Sequence, residues 1–238
     1  MANQINSITL SNQLQQARSL MASLTNPDGS LMFKNFDRAV LVQHTLRSTV
    51  LLNATSTSFQ IPILQNSAYG TNTQSVAPDQ NLLSLQDVFC ATEINVGVAK
   101  ASSTTDAAYQ VFNYAPAGVF STANVAAAII GMYNNASLKF VNNQQVIAPY
   151  WDLFRHYLAP NQQPATAAYY TASGINYVSQ VDGSTDGFYP VQPMWVFNGG
   201  GNVQVSLNLA QNLAAVETNQ KLVLWVRGYL LQNASMVK

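Results

Sequence analysis

Few residues in this 238-residue chain have the types and spacing that chemistry needs. There are two histidines, His44 and His156. Asp152 and His156 stand four apart, so on a helix they would share a face. A zinc protease would need His-Glu-x-x-His, which is absent. The pair therefore reads as a polar pair in a loop or interface, and His44, at an inward-facing strand position, as a satisfied core histidine. Asp182, Ser184 and Asp186, followed by Gly187, have the alternating oxygen side chains that begin a calcium loop. The twelfth position, which should supply a bidentate Glu, is Pro193. An Asx-rich turn is the favoured reading, so no metal, cofactor or catalytic residue is assigned.

Other catalytic signatures are missing as well. No G-x-S-x-G elbow occurs, and no carboxylate pair stands in a glycosidase context. Gly199-Gly200-Gly201 lies between two strand patterns with no Lys-Ser/Thr after it, which predicts a tight β-turn and not a phosphate loop. Three N-x-Ser/Thr sequons, at Asn53, Asn135 and Asn233, are what an Asn- and Thr-rich chain gives by chance. Cys90 is the only cysteine, so no internal disulfide can form. Its apolar setting, Val88-Phe89-Cys90-Ala91, predicts a buried, inert thiol. The expectation is a protein that is not an enzyme.

Charge is scarce. Lys+Arg and Asp+Glu number 10 each and together make 8% of the chain, against roughly 25% in ordinary soluble proteins. Asn and Gln outnumber them about two to one and fill the polar positions. Such a surface has little repulsion to keep copies apart. The 48% hydrophobic content argues against disorder, which leaves a folded domain whose surface is meant for neighbours. The basic residues are scattered, so no specific nucleic-acid binding is expected. The N-terminus MANQINSITL has no basic n-region or apolar h-region, and no apolar run is long enough to cross a bilayer. The chain is expected to be made in a cytoplasm and to stay soluble until it assembles.

The elements that must position these residues follow from periodicity. Leu10, Leu14, Ala17, Met21 and Leu24 form one stripe of a helix over 7–24, closed by the turn Asn26-Pro27-Asp28-Gly29. With only Arg18 basic, the helix is expected to pack on protein and not on lipid. From Arg38 the period becomes two, placing Val40, Val42, Leu46, Val50 and Leu52 on one strand face. Phe59, Ile61 and Ile63 mark a second strand, with Pro62 suggesting an edge or bulge. Residues 65–81 read as a loop, 85–99 and 108–114 as strands, and 122–133 as a short helix. Residues 150–158, YWDLFRHYL, fit either a short helix or a strand. Val203, Val205, Leu207 and Leu209 alternate strictly, and Leu222–Val226 is a continuous apolar strand suited to the middle of a sandwich. About ten strands and two helices give an all-β fold. The expected form is a single jelly-roll β-sandwich with an N-terminal helix and a short inserted helix, since the sixteen strands of a double jelly roll would be crowded in this length. Residues 1–35 form the helix and turn, 36–238 the sandwich.

The order AYQVFNYAPAGVF, short helix, GMYNNASLKFVNNQQVIAPYWDLFRHYL over 108–158 resembles the jelly-roll major capsid proteins of tailless icosahedral bacteriophages. The hairpin PMWVFNGGGNVQVSLNL and the final strand KLVLWVRGYLL are similar to the closing strands of such coats. The likeness covers about residues 36–235 and is one of pattern, with no diagnostic motif. It implies a virion subunit in trimeric or pseudo-hexameric capsomers, with other capsid proteins as partners. Because the family includes virions with an internal membrane, contact with such a membrane belongs to the implication too. A minor coat, penton or spike protein is the nearest alternative. A glycan-binding jelly-roll module is another, motivated by Tyr169, Tyr170, Tyr177 and Tyr189.

Overall fold

The computed structural model describes residues 2–26, 28–33, 36, 40–61, 63, 83–101, 110–116, 119–120, 123–158 and 187–232, with side chains from residue 12 onward. The described elements run α1 (Ala2–Ala22), β1 (Leu41–Leu51), β2 (Ser58–Ile61), β3 (Val88–Lys100), β4 (Val111–Phe112), α2 (Ala123–Asn135), β5 (Ala136–Asn142), β6 (Gln145–Asp152), β7 (Tyr189–Asn198), β8 (Val203–Leu209) and β9 (Gln220–Leu231).

The pairing is that of one long hairpin rolled up. β1 pairs with β9, β2 with β8, β3 with β7, and β5 with β6, all antiparallel. The hairpin's tip is the turn Asn143-Gln144, where both residues adopt positive φ (48° and 68°), a conformation that asparagine tolerates better than most side chains. Rolling brings β9 beside β3 and β8 beside β5. The result is two sheets, β1-β9-β3 with β4 and β7 on its far side, and β2-β8-β5-β6. That winding is a single jelly roll. The short β4 and α2 are inserted between β3 and β5.

Inward side chains of the two sheets meet in one core. Leu46, Ile94, Val96, Leu222 and Leu224 come from the first sheet, and Phe140, Val205 and Leu207 from the second. Alternation along β8 is visible directly: Val203, Val205 and Leu207 are buried while Gln204 is exposed. β9 differs because almost its whole length is buried. Its outward side chains Tyr229 and Leu231, with Val88 and Cys90 of β3, lie under Ala17 and Met21 of α1 and under Phe33 and Phe36. The expected packing of α1 on protein is what these contacts describe. The stripe is shorter than its sequence suggests, since Leu14 is partly exposed.

α1 closes into a tight turn in which Asn26 N–H donates to Ser30 O (2.8 Å) and Met32 N–H to Leu24 O (2.8 Å). Gly29 supplies the positive φ of 82°. Two strand expectations need adjustment. Val40 and Val42 do not reach the core and remain exposed, because β1 begins at the rim of the sandwich. Of the stretch 108–114, the described residues 110–114 contribute the two-residue β4. The ambiguous 150–158 stretch turns out to be the end of β6 followed by one 3₁₀ turn, Leu153–His156.

Close backbone approach at β9 sets a sharp requirement. Gly228 faces β3 where its register shifts between Ala91 and Glu93, and a Cβ there would collide with the Cys90 carbonyl. Backbone atoms cannot yield as a flexible side chain can. Gly228→Ala is expected to cost about 3 kcal/mol or more in chemical denaturation.

Candidate functional site

The densest polar and aromatic grouping lies where β6 ends and β7 begins. β6 is an edge strand, and Pro149 within it has no N–H to offer a further strand. Asp152 then caps the 3₁₀ turn, its carboxylate accepting from Phe154 N–H at 3.0 Å. This turn carries His156 inward, to full burial. Asp152 and His156 are therefore no helical pair: the first caps the turn and the second is a core residue.

His156 is held from both sides. Trp151 Nε1–H donates to its Nε2 at 2.9 Å, and Nδ1 lies 3.0 Å from Gly187 O. An indole N–H can only donate, so Nε2 must carry the lone pair and Nδ1 the proton. The ring is thereby fixed as one neutral tautomer. Burial pushes its pKa down to about 4, aided by the neighbouring Arg155 and opposed by the Gly187 hydrogen bond and by Asp152. Both nitrogens are occupied, so the ring cannot take up a proton without releasing Trp151.

Aromatic rings surround this pair. Trp151 stacks on His156 (6.2 Å between centroids) and meets Tyr189 and Trp195 edge-on (5.8 Å each). The Arg155 guanidinium lies 5.2 Å from the Trp151 ring centroid and 5.0 Å from that of Tyr189. A buried amide pair adjoins it: Asn113 Nδ2 donates to Asn95 Oδ1 and to Val96 O, both at 2.8 Å. Leu158 N–H donates to Asn113 O at 3.1 Å. Gly187 presses so closely on Asn113 and Asn95 that a Cβ there would come within 3.0 Å of both amides.

At the surface of this grouping, Tyr150 is 69% and Phe154 55% exposed, with Val146 of the same edge strand at 49%. A separate groove of about 410 Å³ runs between α2 and residues 209–214. It is lined by small and apolar side chains such as Ala127, Ala128, Gly131 and Leu213.

The remaining candidates fall elsewhere. His44 does face inward, edge-on to Phe89 at 6.1 Å. It is only half-buried, and its Nε2 has no hydrogen-bond partner, so it is not the satisfied core histidine expected. Asp182, Ser184 and Asp186, and with them Tyr169, Tyr170, Tyr177 and Asn233, lie outside the described residues. Among the described residues no three His, Cys, Asp or Glu side chains gather as a metal site would require. Asn53 uses its Oδ1 to hold a turn, accepting from the N–H groups of Thr55 and Ser56. Gly199–Gly201 form the turn between β7 and β8, with Gly201 N–H donating to Asn198 O. Sequence reasoning missed the Trp151–His156 bond. The five-residue spacing matches neither helical nor strand periodicity and becomes legible only once a strand is known to end in a 3₁₀ turn.

Cys90 is fully buried and its pKa is pushed up to about 12 by burial. Native thiol labelling should be slow. Met21→Asp, which lifts α1 from above Cys90, is expected to speed it at least about tenfold in a thiol-reagent assay. Trp151→Phe removes the donor to a buried acceptor and is expected to cost about 1–3 kcal/mol in urea denaturation. Compared with known proteins, the chain matches no protein-family model, no curated protein and no solved structure.

Proposed function

We propose that this chain is a structural subunit, the major coat protein of an icosahedral virion, and not an enzyme. In this reading copies associate into trimeric or pseudo-hexameric capsomers and then, with other capsid proteins, into a shell. The protein is made in the host cytoplasm and resides in the virion.

The observation that carries the reading is a run of large apolar side chains left exposed along an edge strand and the turn that follows it. Val146, Tyr150 and Phe154 follow one another along β6 and the turn after it. The sandwich already has a full core, so these side chains are not needed for folding the subunit. Aromatic residues in such positions are the usual anchors of protein interfaces. The jelly roll supports the reading only at the level of class, because coats and lectins share it. The resemblance of 108–158 to phage coats adds the choice of virion.

One observation bears on the glycan-binding alternative. A sugar needs an open aromatic face to stack on, and Arg155 lies over the ring of Tyr189. Tyr150 remains free for such stacking, so glycan-array binding by a soluble monomer would favour that module. A minor coat, penton or spike protein would differ in copy number within purified particles.

Negative-stain microscopy of the purified protein across concentration is the test. Closed shells or hexagonal capsomers are expected; a monodisperse monomer at high concentration overturns the reading. The double variant Tyr150→Lys, Phe154→Glu is expected to keep its thermal midpoint within a few degrees and to raise the concentration needed for assembly at least about tenfold.

A further inference from the structure

The junction around His156 has a property that a passive packing contact would not have. Gly187, whose carbonyl His156 holds, is the residue from which the chain runs through Phe188 into β7. Trp151, whose N–H His156 receives, is the penultimate residue of β6. One imidazole therefore ties the end of one strand to the beginning of the next, and does so by accepting on one nitrogen and donating on the other.

We propose that His156 is an acid-released latch: while its ring is neutral it pins the start of β7 to the end of β6, and protonation frees this junction without unfolding the sandwich. In the cation both nitrogens carry protons, so Nε2–H would point at the indole N–H 2.9 Å away, donor against donor. Keeping the proton requires Trp151 or the turn to move. The strand pairings of the two sheets do not pass through His156, so they can persist when it moves.

The charges around the ring give the cation little help. On its own turn, Arg155 opposes protonation and Asp152 favours it. Tyr189 from β7 meets the ring edge-on, and the buried Tyr133 of α2, tilted against Tyr157, directs its O–H at Val96 O. α2 carries no charged residue. On β3, Glu93 is paired with Arg227 and Lys100 with Glu217, and Lys139 of β5 is exposed to solvent. The folded ring titrates below its ordinary value of 6.5, near 4. An opened state thus binds the extra proton more readily. The latch's contribution is complete above pH 6.5 and is lost as pH falls through that window toward 4.

The experiment follows tryptophan emission, far-UV circular dichroism and amide hydrogen exchange of the full chain from about pH 7 to about pH 3.5. Expected is a red shift in emission with about tenfold faster exchange at Phe188 and Tyr189, while far-UV dichroism holds. His156→Gln, whose side chain can still donate and accept but cannot titrate, should lack the step; His44→Gln should keep it. Should His156→Gln fail to fold, NMR of the unaltered protein decides: the Trp151 indole N–H signal must shift with the same midpoint as the His156 ring. Four results would overturn the proposal: unchanged emission through the His156 titration, the same step in a folded His156→Gln, dichroism lost together with emission, or an indole signal indifferent to the ring. None of these outcomes depends on whether the chain builds a coat.

Discussion

Strand β9 is buried on both faces, and satisfying that burial organises the rest of the molecule. Its inward side chains Leu222, Leu224 and Val226 complete the core between the sheets. Its outward side chains cannot be left in water either, since Val223, Trp225, Tyr229 and Leu231 are all apolar or aromatic. The molecule answers with α1 over Tyr229 and Leu231, and with Phe188 and Val111 beside Trp225 and Val223. Arg227, the one outward charge between these patches, pairs with Glu93 at 3.4 Å and lies 3.7 Å from the Phe188 ring centroid. A sheet covered in this way offers no broad outer face to a partner. The exposed Val146, Tyr150 and Phe154 belong to the other sheet, along its edge strand β6 and the turn after it.

The same constraint explains the crowding near His156. Phe188 must reach over Arg227, so the chain approaches β7 close against Asn95 and Asn113 of the first sheet. Carbonyls brought into such a place need donors. His156 provides one to Gly187 and is itself held by Trp151. Burying a titratable ring there follows from the path of the chain, and its reluctance to protonate follows from the burial.

Strands with one solvated face were the most legible part of the sequence. Val203, Val205 and Leu207 alternate with polar residues and do face the core, and the apolar run of β9 is a central strand. α1 is visible from Ala17 and Met21, and α2 from the apolar run that buries Val125, Ile129 and Met132. Harder to read was anything decided by pairing. Periodicity assigns faces but not neighbours, so the adjacency of β9 with β3, which defines the roll, had no local signal. Val40 and Val42 keep the period of β1 yet lie beyond the rim, and only the end of the opposing sheet determines that. Asp152 and His156 read as one polar pair in a loop or interface, and the buried place of His156 is hidden because YWDLFRHYL contains both an edge strand and a turn, each too short to set a period.

Association through exposed apolar side chains has a physical signature that separates it from charge-driven assembly. Screening at high ionic strength weakens contacts between exposed ion pairs but leaves apolar burial intact or strengthened. Light scattering of the purified chain at low salt and at about 1 M salt reads this directly. Species larger than the monomer at both salts, growing with concentration, are the expected result. Dissociation to monomer at high salt, or a monomer under every condition, would contradict the central proposal that this chain associates with its own copies.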